Sequence, residues 1–399
     1  AFPRLPAVRR TPLQSLARPV RLDLWALSIA RYLALCANLV LLYLLARRLS
    51  GSRETGLLAA LLFSYHPGFS VLYYNTGTLY DIFSFLFFFA AFLWYVRIRQ
   101  SGRLPRFPEV LGVTLLYILS LASKEIAVTL PALLVFYELL YHAPDLAPSA
   151  GPLRVGRALV TAAACLGVGL AYTFGRVLSK DGLASVGKYE PVYSIPEYLR
   201  QTGHYLIEVL YKPDATLPLY QTALFLLFLA VASLLFRSRV MGLSALLFAV
   251  GVLPVAFIPW RGLNAVLIPL AGLAVFVAAF LAALRDLAVR RLPAPLPARV
   301  ALFALVAIAM VKIHPDTSGL YGVWTRLEYE PIGSFMRQVR ELHPNVRDTE
   351  RILVVKDPFG EFNWASLFIT RLVYRAPALR VDRFDSMDPK PSAAEIAKY

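Results

Sequence analysis

Cysteine is nearly missing. Cys36 and Cys165 are the only two in 399 residues, and both lie inside apolar runs. That excludes a disulfide framework or a cysteine-based metal site and leaves the redox compartment unread. Each behaves as a small hydrophobe. Acidic residues are also scarce, 25 against 41 Lys and Arg, and no pair is spaced as metal ligands. Nothing implies a cofactor. Runs alternating with a period of two are absent, which sets aside a β-barrel.

Apolar length is what the chain has in excess. It is 58% hydrophobic, with long runs free of charge such as Phe83–Leu93, Leu226–Leu235 and Ala271–Leu284. A soluble domain is only about half apolar. A bilayer core takes about 20 apolar residues per helix, and a helix satisfies its own backbone groups there. The pattern predicts an all-α polytopic membrane helix bundle over residues 23–313. About ten helices fall near 23–46, 56–76, 78–97, 108–123, 126–141, 157–178, 219–236, 240–259, 264–284 and 297–313. The second is broken by His66-Pro67-Gly68. The fourth and fifth are short and meet at Ser123-Lys124-Glu125.

A net charge of +16 raises nucleic acid as a partner. The distribution points to the bilayer instead. Acids and bases balance after His314, and the excess arginine falls in alternate short loops. These hold Arg47, Arg48 and Arg53; Arg97, Arg99, Arg103 and Arg106; Arg154 and Arg157; Arg237 and Arg239; and Arg285, Arg290, Arg291 and Arg299. The positive-inside rule places them in the cytoplasm. Tyr73–Thr78, Ser123–Glu125, Ser179–Tyr211, Pro259–Asn264 and the tail then face outward. The expectation is an inner (plasma) membrane protein with a periplasmic C-terminal domain. Trp25 and Trp260 fall at the outer interface and Trp94 near the inner one, as in aromatic belts.

By the same count residues 1–22 form an external loop segment, yet they carry Arg4, Arg9, Arg10, Arg18 and Arg21. A basic N-terminus normally stays in the cytoplasm, and the chain starts with Ala. Together these predict a further helix upstream.

Two external pieces have readable patterns. Over residues 197–211, Leu199, Leu206, Val209 and Leu210 oppose Arg200, Gln201, His204 and Glu208. This amphipathic helix either lies flat in the interface or lines an external cavity. The tail, 314–399, reads as a small soluble α/β domain. It has a helix at Ile332–Leu342, a strand at Arg351–Lys356, a turn at Asp357–Gly360, a helix at Trp364–Tyr374 and a strand at Leu379–Val381. It has no glycine-rich phosphate fingerprint, so no chemistry is assigned to it.

Ionisable groups at membrane depth are functional candidates by default. Asp81 follows Asn75-Thr76-Gly77-Thr78. It either completes a capping box with Thr78 or presents a carboxylate to an external cavity, near Asn75. Lys124-Glu125 is either a helix-end ion pair or a lysine that holds an anionic headgroup, oriented by the acid. Arg261 is either an interfacial snorkelling arginine or a phosphate clamp, since its guanidinium fork matches phosphate oxygens. His66 reads first as a hydrogen-bonded group at a helix break. Arg31, inside the first helix, is a weaker candidate.

In this order the clusters resemble the GT-C class of membrane glycosyltransferases. The nearest branch is the protein O-mannosyltransferase-like one, with bacterial relatives of the transmembrane-and-tetratricopeptide-repeat proteins. The residues that carry the likeness are Leu44–Leu49 with Gly51-Ser52-Arg53, then Leu57–Phe63 leading to His66-Pro67. Next come Leu121–Pro131, which contains Ser123-Lys124-Glu125, then Tyr137-Glu138, Leu253-Pro254, Arg261 and Pro269. The resemblance spans most of residues 20–285. It implies a GT-C-like fold, a polyprenyl-phosphate sugar donor and transfer on the external face to an acceptor that is not specified. It also implies a catalytic acid in the first external loop. Here the chain departs from the pattern. Residues 1–22 hold no acid, and Ser70 and Val71 stand where the family has a glutamate soon after His-Pro. Either the catalytic loop lies upstream of Ala1 or transfer has been lost. No tetratricopeptide repeats follow. The competing readings are a transporter or flippase of lipid-linked glycans and a non-catalytic membrane scaffold.

Overall fold

The computed structural model describes residues 24–64, 66–147, 151–177, 179, 190–210, 217–259, 261–289, 295–347, 350–360, 363–376, 378–387 and 390–396. The expectations for residues 1–22 and for Trp260 lie outside these. The chain divides into two compact units, Ala1–His314 and Pro315–Tyr399.

The first unit is helical. Its elements are α1 (Leu24–Ser50), α2 (Arg53–Ser64), α3 (Val71–Tyr74), α4 (Leu79–Gln100), α5 (Phe107–Ser123), α6 (Leu130–Tyr141), α7 (Ala143–Leu146), α8 (Pro152–Tyr172), α9 (Ile195–Val209), α10 (Leu219–Leu235), α11 (Arg239–Gly251) and α12 (Leu267–Ala288). Among the described residues, four helical stretches are long and apolar enough to cross a membrane: Ala26–Ser50, Leu79–Gln100, Pro152–Arg176 and Leu263–Ala288. Phe107–Ser123, Leu219–Leu235 and Arg239–Gly251 are apolar but shorter.

Local chemistry sets the helix limits. Pro108, Pro131, Pro152 and Pro196 stand in the first turns of α5, α6, α8 and α9, where a missing N–H costs nothing. Ser194 and Ser238 cap α9 and α11 by accepting from Glu197 N and Met241 N. Gly51 ends the α1 turn at φ 71°, a conformation that a Cβ disfavours. The residue before a proline is pushed out of helical geometry, and α2 stops at Ser64, just ahead of His66-Pro67. Short 3-10 turns at Pro67–Phe69 and Thr76–Thr78 then flank α3. At 12 residues α2 is only about 18 Å long.

The helices meet through small residues and aromatic rings. A Cβ on Gly272 would stand 2.9 Å from Leu247 Cγ and from Ser244 O, so α11 and α12 touch backbone to backbone. Gly56 sits equally close to the Tyr43 carbonyl of α1. Phe85, Phe88, Phe89, Phe92 and Tyr137 fill the centre. Small residues let helices approach closely where apolar burial alone gives no preference for helix over lipid.

Arg99 differs from its sequence reading as a loop arginine. At the end of α4 its side chain is 2% exposed, and Glu138 of α6 is 0% exposed. The guanidinium donates from Nε and Nη2 to the two Glu138 oxygens at 2.8 and 2.9 Å, and again from Nη2 to Asp145 at 2.6 Å. Tyr95 donates to the same carboxylate at 2.7 Å. Arg154 pairs with the other Asp145 oxygen at 2.7 Å. The aliphatic run of α4 hides this: its last turn looks like a flank, but a glutamate on α6 draws it inside.

The reading of α9 also changes. Gln201 was expected on the wet side but is buried, donating to Glu197 at 2.7 Å. Leu210 was expected on the apolar side but is exposed. Gly203 faces Thr222 of α10, so the contact stripe runs through Thr202 and Gly203 as well as through the buried Leu206.

Helix α13 (Pro295–Leu342) contains both stretches that read separately as 297–313 and 332–342. The unit boundary falls within it. Pro315 and Pro331 remove one backbone donor each without ending it. In the second unit, β1 (Arg351–Val354) and β2 (Arg380–Arg383) pair in parallel, with Val354 opposite Arg383, and α14 (Asn363–Tyr374) connects them. A core of Phe335, Val354, Ile369, Leu379 and Val381 lies beneath. The turn after β1 forms as expected: Phe359 N donates to Asp357 at 2.9 Å, and Gly360 takes φ 52°. The Asp357 carboxylate also pairs with Arg383 at 2.8 Å, both nearly inaccessible.

Removing Glu138 leaves the buried guanidinium with Asp145 as its one remaining acid, and breaking a buried pair of this kind costs roughly 3–5 kcal/mol. Glu138→Gln is expected to lower the melting temperature in detergent markedly. The apolar combination Arg99→Met, Glu138→Leu and Tyr95→Phe is expected to recover most of it. A melt of Glu138→Gln that matches wild type overturns the assignment.

The Arg99 hydrogen bond, with Arg154 nearby, holds the Asp145 carboxyl below the ordinary aspartate range. A depressed pKa stabilises the fold fully above the unfolded value and less as pH falls past it toward the folded value. Thermal stability should fall below about pH 4, and Asp145→Asn should flatten that part of the profile while lowering stability at neutral pH.

Candidate functional site

Three separate stretches bring polar side chains to one end of the first unit. Asp81 sits in the first turn of α4, Lys124 just after the last turn of α5 and Asn264 in the 3-10 turn Leu263–Val266 ahead of α12. Helix dipoles favour an acid at a helix N-terminus and a base at a C-terminus, so Asp81 and Lys124 each lie on the favourable end. Lys124 Nζ reaches Asp81 Oδ1 at 3.2 Å, and Asn264 Nδ2 donates to Oδ2 at 3.1 Å. The Lys124 ammonium also stands 4.3 Å from the centre of the Tyr80 ring, a cation–π contact. The Asp81 side chain is 2% exposed and that of Lys124 15%.

The capping-box reading of Asp81 does not hold. Thr78 makes no side-chain cap. Its hydroxyl donates backwards to the Asn75 carbonyl at 2.8 Å. Asp81 therefore spends its oxygens across the bundle, on two other helices. The pair partner of Lys124 is likewise Asp81 rather than its neighbour Glu125, which contributes charge from the side. Burial works against the Lys124 ammonium, but Asp81 and Glu125 outweigh it and hold the pKa above the ordinary lysine range.

The other candidates take distinct positions. Asn75 accepts from Gly77 N at 2.8 Å and closes its own turn. His66 is buried and fastens the helix break. Its Nδ1 accepts from Gly68 N at 3.1 Å, and its Nε2 lies 3.2 Å from Val209 O at the end of α9. With Nδ1 accepting, Nε2 carries the proton and donates. A Cβ on Gly68 would meet Leu263, beside Asn264, so the break packs against the same turn that holds Asp81. Arg261 precedes that turn by two residues and is half-buried. Arg31 is 4% exposed on the stripe of α1 that carries the buried Ala34, Asn38 and Leu42. It donates to Ser28 at 3.2 Å, and its Nε and Nη1 find no partner.

Asn264 and Tyr80 were not legible as site residues. Both flank candidates in the sequence, but nothing in their spacing says that residue 264 returns to residue 81. Among the described residues no group of three or more His, Cys, Asp or Glu side chains is arranged to hold a metal ion. Asp81 and Arg99 lie on the same helix about 27 Å apart, close to the roughly 30 Å of a hydrocarbon core. No family model matches the chain, and searches of curated proteins and of solved structures find no match either.

The Asp81–Lys124 pair should be coupled. Lys124→Met alone leaves a buried carboxylate with Asn264 only, a loss on the order of 3 kcal/mol. Asp81→Asn with Lys124→Met should melt higher than Lys124→Met alone. Additive losses in a double-mutant cycle by thermal unfolding would break the link.

Proposed function

We propose that the chain is a membrane glycosyltransferase whose bundle crosses the inner membrane about ten times. It moves a sugar from a polyprenyl-phosphate donor to an acceptor on the periplasmic face, where the small C-terminal α/β unit also lies. The observation that carries this is the convergence of Asp81, Lys124 and Asn264 at one end of the unit, with Arg261 next to the same turn.

A lipid-linked donor suits this place. Its tail stays in the bilayer while its headgroup meets water. As the sugar leaves, negative charge gathers on the phosphate, and fixed cations aimed at it lower the barrier. Lys124 is committed to Asp81, so the phosphate role falls to Arg261, with Arg31 as a second cation. Among the described residues the buried Arg31 guanidinium hydrogen-bonds only Ser28, and a phosphate supplies the anion that matches such a charge. Asp81 takes the proton of the acceptor hydroxyl or amine as it attacks. Lys124 and Asn264 keep the carboxylate aimed.

A flippase for lipid-linked glycans is the second reading. Discontinuous helices that meet at a site are a transporter feature, and here the break at Pro67–Phe69 packs on the Leu263–Val266 turn.

With a panel of polyprenyl-phosphate sugars and reconstituted protein, Asp81→Asn is expected to lose about 10²- to 10⁴-fold in transfer. Arg261→Ala should lose about 10²- to 10³-fold. Full transfer by both variants removes this site. Movement of labelled lipid across liposomes without transfer selects the flippase. Single cysteines at Gly102 and Lys356 should label from opposite sides of sealed vesicles, and labelling from the same side refutes the proposed topology.

A further inference from the structure

The end of the first unit away from Asp81 carries a cavity that sugar transfer does not use. It lies between α2 and the first turns of α13 and has a volume of about 600 Å³. This is the end where Arg48 and Gln100, at the far ends of α1 and α4, exchange hydrogen bonds at 3.3 and 3.0 Å.

The lining is divided. Ser52, Arg53 and Arg299 form one part, and Leu57, Val300 and Phe303 the other. Glu54 is the one acid in the lining, and it is already engaged. It pairs closely with Arg285 and stands 3.7 Å from Arg299. Arg53 has no carboxylate partner among the described residues. The lining thus holds Arg53 and Arg299 against the single carboxylate of Glu54, which Arg285, outside the lining, also shares. Leu57 and Val300 are more than half exposed and Phe303 is exposed as well, so the apolar wall is open to whatever surrounds the bundle.

We propose that this cavity binds an anionic phospholipid of the leaflet that the arginine-rich loops face. The phosphate sits between Arg53 and Arg299, and an acyl chain runs along Leu57, Val300 and Phe303. Charge complementarity selects an anion, and the apolar wall beyond the arginines selects one that carries a hydrocarbon tail. Basic pockets between membrane helices hold anionic headgroups in this way. The lipid fills the space between α2 and α13 beyond the Glu54–Arg299 approach.

The test is native mass spectrometry of the full chain in detergent, with phosphatidylglycerol and phosphatidylcholine of the same acyl chains. Phosphatidylglycerol should be retained at about tenfold lower concentration. Arg53→Ala with Arg299→Ala should abolish that preference. Arg53→Gln, which breaks no ion pair, should weaken it even if the double variant fails to fold. Leu57→Trp with Phe303→Trp should cut retention of the bound lipid. Equal retention of both lipids by wild type, or a preference unchanged in Arg53→Gln, overturns the proposal. Full displacement of the lipid by glycerol phosphate also overturns it, because the site then takes the headgroup alone.

Discussion

A charge inside an apolar bundle has to be matched where it sits, and that requirement fixes both ends of α4. At one end Arg99 spreads its donors over Glu138 and Asp145. At the other, Asp81 collects donors from α5 and from the turn ahead of α12. Burial leaves each group few alternative partners, so each keeps the partner it has. The helices that supply the partners are thereby held in register with α4, and the phenylalanines between the two clusters pack in the space this leaves.

The two clusters are built for different things. Around Arg99 every donor is used, and the group is a fastener. Around Asp81 the acceptor is reached from two sides by groups that come from interrupted helices. The interruptions at Pro67–Phe69, Lys124 and Leu263–Val266 gather at one end and give that end polar backbone and side chains that continuous helices would have hidden. Irregular backbone of this kind is tolerated at membrane depth where it is buried in protein or lines a cavity.

The sequence made the helical, apolar character of the first unit plain, because long apolar runs are a local signal. His66-Pro67 announced a broken helix for the same reason. Partner choice was not local. Thr78 and Asp81 satisfy the spacing of a cap, yet the carboxylate bonds to Asn264, 183 positions away. Arg99 looks like one of several loop arginines until Glu138 is seen beside it. In α9 the leucine pattern misplaced Gln201, since the face toward α10 runs through a threonine and a glycine as well as a leucine. Residues 297–313 and 332–342 read as separate helices, but one helix contains both, since a proline removes one backbone donor without obliging a helix to stop.

Helix α4 is pinned at its two ends to different neighbours by charge, and this limits how the bundle deforms. A piston-like slide of α4 along its axis would stretch the Asp81 and Arg99 attachments together, since neither has slack in its hydrogen bonds. Rigid sliding is therefore the stiffest motion open to this helix. Movements within the bundle fall to elements held through apolar contact alone, while α4 serves as the fixed mast around which they turn.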